Sequence, residues 1–291
     1  RTLYHAPATI RTVMKTLKKA DVFQFRAPTG IGVYLLPWLT IFSSKPGWIK
    51  YAGNWRQEAP PKGYAFQRWW LMRNLMKRPV TINGRWPAQP KHCLTFENPC
   101  LDEGERITGK RIIENKDYSG PLEISFVGRL EDAKGVRRIL DALQRMPDLQ
   151  RIRTVHFIGD GPLRPEYEHI ASAISCDIRF HGFLGRDELV QYLETSHLFL
   201  LPSTASEGFP KVIAEAANYG CIPVVSQISS IGQYVNEDNG WILNENTCNA
   251  EGIARILKEA LSNKNLKLKA LKLSVLPEKF TFSHYHMQLK T

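Results

Sequence analysis

Glu207 and Glu215 stand eight residues apart, separated by a run that begins Gly208-Phe209-Pro210-Lys211. A carboxylate can accept two hydroxyl hydrogen bonds at once, which suits the vicinal diol of a ribose or a sugar ring. Gly208 lets backbone approach a ligand, and a helix beginning at Pro210 offers its N-terminus to an anion. Glu215 falls about a turn and a half into that helix. It is embedded in Val212-Ile213-Ala214 and Ala216-Ala217, where a carboxylate is seldom buried without a partner. A second pair, Arg129 and Lys134, is five residues apart in the run 128–135. A planar guanidinium and a compact ammonium on one loop can clamp a diphosphate. Blander readings exist for both pairs: a capping acid with an exposed helix glutamate, and two solvated surface cations.

These residues need elements to position them, and the second half of the chain supplies a regular alternation. Short apolar runs at 122–127, 154–158, 178–181, 198–201, 222–225 and 240–243 read as six strands. Helical patterns intervene, including 135–146 and the stretch from Pro210 to its stop at Gly220. Such an order predicts an α/β domain with a parallel, doubly wound sheet, whose ligands sit at the carboxyl ends of the strands. Both residue pairs fall at such ends. So do two further loops, Gly159-Asp160-Gly161-Pro162 and Ser229-Ser230-Ile231-Gly232-Gln233. The glycines of the first either bring backbone close to a ligand or make a tight connection. The first half reads as strands at 22–26, 48–52, 80–83 and 92–96 with helices at 9–19, 32–42 and 64–76. Residues 98–118, polar and weakly hydrophobic, read as a linker. The expected division is therefore 1–118 and 119–291.

In their order, Phe-Val-Gly-Arg-Leu with Lys134-Gly135, Ile-Gly-Asp-Gly-Pro-Leu, His-Gly-Phe-Leu, Leu-Leu-Pro-Ser, Glu-Gly-Phe-Pro-Lys-Val-Ile-Ala-Glu-Ala and Gly-Cys-Ile-Pro-Val-Val resemble the C-terminal domain of retaining family-4 glycosyltransferases. Those are GT-B enzymes with two Rossmann-like domains, and the likeness is close over 121–245. It implies transfer of a hexosyl-type sugar from a UDP- or GDP-sugar to a lipid-linked or polysaccharide acceptor, with retention of configuration, in cell-envelope polysaccharide synthesis. Arg129 and Lys134 would hold the diphosphate and stabilise the departing charge in place of a metal. Glu215 would take the ribose hydroxyls. Glu207, with the backbone of Gly208, Phe209, Pro210 and Lys211, would position the donor sugar, and Phe183 would neighbour the base. The implied mechanism is same-face attack, the leaving phosphate helping to deprotonate the acceptor hydroxyl. The segment 280–288 would be a helix returning to the first domain.

Departures from that pattern carry expectations of their own. Ser229-Ser230 and Gln233 stand where the family usually has a Gly-Gly pair and a glutamate. No Gly-rich loop precedes Arg1, and four strands are fewer than the usual six, so the first domain is expected to be truncated. The alternative function is a non-catalytic protein of the same fold that binds a sugar nucleotide or an anionic membrane surface.

Composition narrows the partners. Residues 1–118 hold 20 Lys/Arg and 8 Asp/Glu, a net +12, whereas 119–291 hold 19 and 20, a net −1. Six of seven Trp lie in the basic part, with Trp69-Trp70 near Arg68, Arg73, Lys77 and Arg78 on one helical stretch. That pattern suits anionic headgroups or an anionic acceptor, or the tryptophans are plain core residues, while no nucleic-acid module appears. The Lys264–Lys272 stretch, alternating with leucines, reads as an amphipathic surface helix. No apolar run spans a bilayer, the longest being broken by Pro37. Five cysteines without metal-like spacing fit a reducing compartment, so a cytoplasmic protein, peripheral at the inner membrane face, is expected. His284 and His286, two apart, do not share a helix face, and no metal is expected.

Overall fold

The computed structural model describes residues 4–290; the start at Arg1 lies outside them. By its contacts the chain forms two units, Arg1–Glu97 with Ser206–Phe209, and Asn98–Ala205 with Pro210–Thr291.

The first unit contains α1 (Ala6–Lys19), β1 (Phe23–Ala27), α2 (Gly32–Phe42), β2 (Gly47–Tyr51), α3 (Lys62–Met72), β3 (Val80–Ile82) and β4 (Cys93–Thr95). Its four strands are parallel and lie in chain order. Leu35, Leu36 and Leu39 recur at helical spacing on α2 and pack with Ile49, Tyr51, Leu71, Val80 and Ile82 in one core. Trp55 belongs to that core, whereas Trp69 on α3 is about half exposed.

The second unit opens with α4 (Glu103–Asn115), where the sequence reads as a linker. The boundary therefore falls at Glu97/Asn98 and not at residue 118. Two features hide this helix. Asp102 and Glu105 form a reciprocal capping box, a start signal built from polar residues. The buried face is Arg106, Gly109 and Ile113, so the helical period is carried by a charge and a glycine. Gly109 is required there, because a Cβ would lie 2.2 Å from the Asn218 carbonyl.

After α4 come β5 (Leu122–Val127), α5 (Val136–Gln144), β6 (Ile152–Ile158), α6 (Arg164–Ala171), β7 (Ile178–Gly182), α7 (Arg186–Thr195), β8 (Leu198–Leu201), α8 (Lys211–Asn218), β9 (Ile222–Ser226), β10 (Trp241–Leu243), α9 (Ala250–Ser262), α10 (Leu266–Leu273) and α11 (Phe282–Lys290). All six strands are parallel, in the order β10-β9-β8-β5-β6-β7. Renumbered within the unit this is 6-5-4-1-2-3, the doubly wound order whose direction reverses between its first and fourth strands. Pro210 caps α8 rather than beginning it, and Gly220 follows the helix at φ +77°. Of the lysine-rich stretch, Leu266, Ala270 and Leu273 are buried while Lys267 donates to the carbonyls of Ile113, Glu114 and Lys116. It thus serves the carbonyl end of α4.

Arg106 is buried, and its Nη1 and Nη2 donate to Asn218, the Ser274 carbonyl and Glu278, while its Nε has no acceptor among the described residues. The hydrogen bond from Arg106 first, and that from Lys110 after it, hold the Glu278 carboxyl down at about 2 against the opposing effect of burial. Because the folded pKa is depressed, the stabilisation is complete above the ordinary carboxylate range and disappears as pH falls through it toward 2. A Glu278→Gln variant is expected to unfold at lower urea than the parent at pH 7. Its urea midpoint should change less between pH 5 and 2, so that the two proteins converge in acid.

Candidate nucleotide site

The reversal of strand order falls between β5 and β8, and the loops that leave their carboxyl ends carry the predicted groups. Residues 128–135 leave β5, ending in a 3₁₀ turn at Asp132–Lys134 and then Gly135 at φ +92°. A Cβ at Gly135 would sit 2.4 Å from the Pro202 carbonyl. That carbonyl also accepts from Arg138 Nε and Nη2 at 3.2 and 2.9 Å. The Ala133 carbonyl takes Thr204 N at 2.8 Å and Ser203 Oγ at 3.2 Å. On the other flank Tyr167 donates to Asp132 at 2.7 Å, and Leu130 N donates to the Asp160 carbonyl at 3.0 Å. The loop is thus fastened to the starts of the β6 and β8 connections at once.

This settles the two readings of Gly159-Asp160-Gly161-Pro162. A Cβ on Gly159 would lie 2.0 Å from the Gly128 carbonyl, and one on Gly161 would lie 2.5 Å from that of Leu130. Both glycines allow backbone to meet backbone, so the turn is a tight connection that supports the cation-bearing loop.

Arg129 is mostly exposed and paired with Glu131 at 2.6 Å. Lys134 is half-buried, and burial lowers its ammonium pKa, offset in part by Glu131 and reinforced by Arg129. The two cations and Glu131 therefore share one neighbourhood. Glu131 went unnoticed in the sequence, although its place between the cations was a usable signal. It holds Arg129 in a geometry that a phosphate oxygen could take over.

Glu215 lies on α8 with its side chain only 16% exposed, and its partner is Arg186 at 3.1 Å. The burial argument thus finds its answer inside the protein, in a cation the sequence reading missed. Arg186 opens α7, four residues beyond the end of β7, where an arginine after a strand has no distinctive signature. Phe183 follows β7 directly and is 87% exposed, an uncommon degree for a large ring. Lys211 begins α8 and is exposed. Glu207, half-buried, with buried Gly208 and Phe209, groups with the first unit, whereas Pro210 and Lys211 group with the second.

Ser229 takes φ +52°, a conformation favoured by glycine, and its Oγ is buried without a hydrogen-bond partner. That is the place where the resemblance calls for a glycine. The cysteines are free: burial pushes Cys93 and Cys100 up to about 12 and Cys221 to about 11, leaving poor nucleophiles. Among the described residues no three His, Cys, Asp or Glu side chains form a metal-holding group, and no helix is long and apolar enough to cross a membrane. Of the four cations noted beside Trp69-Trp70, Arg68 turns onto the carbonyls of Trp55 and Gln57, and Arg78 onto those of Met76, Ser43 and Lys45.

Comparison with known proteins accords with this geometry. The profile of the family Glycosyl transferases group 1 matches residues 110–272, more than half of the chain, and the chain belongs to that family. The amylovoran biosynthesis glycosyltransferase AmsK of Erwinia amylovora is 30% identical over 145 residues, 47% of this chain and 35% of that one. The D-rhamnosyltransferase WbpZ of Pseudomonas aeruginosa is 30% identical over 129 residues, 44% of this chain and 32% of that one. The chain thus covers about a third of the length of the curated relatives it matches. Among solved structures, Alr3699/HepE of Anabaena, in complex with UDP, aligns with a TM-score of 0.73 at 17% identity, over 97% of this chain and 80% of that one. The fold is α/β of the GT-B type, with two Rossmann-like domains.

The loop fastening predicts two effects on stability in urea denaturation. Tyr167→Phe should cost about 1 kcal/mol by removing one hydrogen bond. Gly135→Ala should cost about 2–4 kcal/mol through positive φ and overpacking against Pro202. Gly120→Ala, whose Cβ would meet nothing closer than 3.9 Å, should change stability by less than about 0.5 kcal/mol.

Proposed function

We propose that the chain belongs to a retaining, family-4-type glycosyltransferase and that its second unit binds the nucleotide-sugar donor. The observation that carries this reading is the fastened loop with Arg129 and Lys134 at the point where the strand order reverses, the general ligand position of such sheets. Arg129 exchanges Glu131 for a phosphate oxygen, and half-buried Lys134 supplies a second cation beside it. As the bond from the sugar C1 to the phosphate oxygen breaks, the two cations stabilise the nucleoside diphosphate that leaves. The acceptor oxygen bonds C1 on the same face, and the departing phosphate takes its proton. Glu215 accepts the ribose hydroxyls, and exposed Phe183 stacks on the base. Glu207, with the backbone of Gly208, Phe209, Pro210 and Lys211, orients the sugar. UDP- and GDP-sugars are both candidate donors, since no residue in this group reads the base edge.

The acceptor reading rests on charge and on the relatives' names. Residues 1–97 hold 16 Lys/Arg against three acids, a sharper bias than the division at 118 gives. Ile41, Phe42, Trp69 and Met72 are exposed large apolar groups in the same unit. A lipid-linked or polysaccharide acceptor with anionic character, met at the cytoplasmic face of a membrane, suits this composition. A relative named for amylovoran biosynthesis is consistent with it.

The test is consumption of UDP- and GDP-sugars in the presence of membrane extract, with the anomeric configuration of the product read by NMR. Lys134→Ala is expected to lower turnover about 10²–10³-fold. Glu215→Ala should weaken nucleotide binding about tenfold, the loss of one hydrogen-bonded charge. Unchanged donor use by Glu215→Ala would remove the donor assignment, and an inverted product would remove retention.

A further inference from the structure

We infer that Arg186 is a positioning residue for Glu215, and that through this carboxylate it sets how strongly the site distinguishes a ribonucleotide from its deoxy counterpart. The inference rests on the proposal that Glu215 receives the ribose. Arg186 reaches Glu215 Oε1 through Nη1 at 3.1 Å. Its other donors are committed: Nε and Nη2 meet Glu105 Oε1 at 2.9 and 2.6 Å, and Nη2 also meets the Cys100 carbonyl. Glu105 is itself fixed, since its Oε2 accepts from Asp102 N at 2.9 Å in the capping box of α4. The Cys100 backbone in turn donates to the Phe280 carbonyl at 2.8 Å. The 100–105 segment and α8, both distant in sequence from α7, thereby hold one guanidinium, which fixes its orientation toward α8.

The consequence for Glu215 follows from counting lone pairs. Oε1 is taken by Arg186, while Oε2 has no hydrogen-bond partner among the described residues. A glutamate with several rotamers is thus held with one oxygen occupied and the other available to a hydroxyl. Without Arg186, the Glu105 and Glu215 carboxylates would face one another with no intervening cation, and Glu215 would turn away. Lysine cannot replace it, because an ammonium lacks the planar fork that spans Glu105 and Glu215 together.

The experiment measures binding of UDP and GDP, each against its 2′-deoxy and 3′-deoxy form, by calorimetry on the whole chain. The parent is expected to prefer the ribonucleotide about tenfold, one charge-assisted hydrogen bond. Glu215→Ala should abolish that ratio. Arg186→Ala and Arg186→Lys should abolish most of it, and Arg186→Ala should add nothing in the Glu215→Ala background. Glu105→Gln, which leaves Arg186 and Glu215 in place but weakens the clamp, should reduce the ratio partway and decides the matter if the Arg186 variants do not fold. Equal weakening of ribo and deoxy forms by Arg186→Ala, with the ratio kept, would show a merely structural role and overturn the inference. A ratio that survives Glu215→Ala, or no binding of either nucleotide by the parent, would instead overturn the ribose reading on which it rests.

Discussion

Adjacent parallel strands β5 and β8 send their connections in opposite directions, and the space opened between those connections is fixed by backbone geometry before any side chain is chosen. What the sequence adds is a means of keeping the space from collapsing or drifting. Gly135 at positive φ brings the end of the β5 loop against Pro202, and the Ala133 carbonyl takes two donors from the β8 loop. Backbone bonds to Asp160 and from Gly159 to Gly182 extend the fastening across β6 to β7. A cation on such a loop loses little freedom on meeting an anion, since its main chain is already ordered.

Most of the fold could be read from the sequence because buried parallel strands are short apolar runs and their helices show clear periodicity. All ten strands fall where those runs predict, and α5 and α8 begin and end within two residues of expectation. The exception, α4, escapes for a physical reason. Its inward face spends an arginine and a glycine where a helix would normally place leucines, so hydropathy registers nothing. The capping box Asp102-x-x-Glu105 was the signal available, and it lay inside a stretch that composition alone assigned to a linker.

The candidate site was legible in its residue types and less so in their company. Glu215 could be picked out because a carboxylate in an apolar run is an unusual placement, whereas Arg129 and Lys134 gained weight only from the order of motifs around them. Arg186 could not, since a partner across space leaves no mark on local sequence, whereas Glu131 stood in plain view between the two cations. Both partners change the meaning of the residues they hold. Arg129 is already ion-paired with Glu131, and Glu215 is a carboxylate with one oxygen committed to Arg186. The charge asymmetry of the chain sharpens likewise once the boundary moves to Glu97, because the acids of α4 leave the basic part.

Buried Arg106 bears on the order in which the second unit completes itself. It leaves the ribosome early, on the unit's first helix, yet Asn218, Ser274 and Glu278 follow 112, 168 and 172 residues later. An unpaired guanidinium cannot be sealed in an apolar interior without a large desolvation cost. The buried position of Arg106 therefore needs the segment that ends at Thr281, which bridges back to Leu101. High contact order at this one charged residue ties completion of this half of the protein to its last segment.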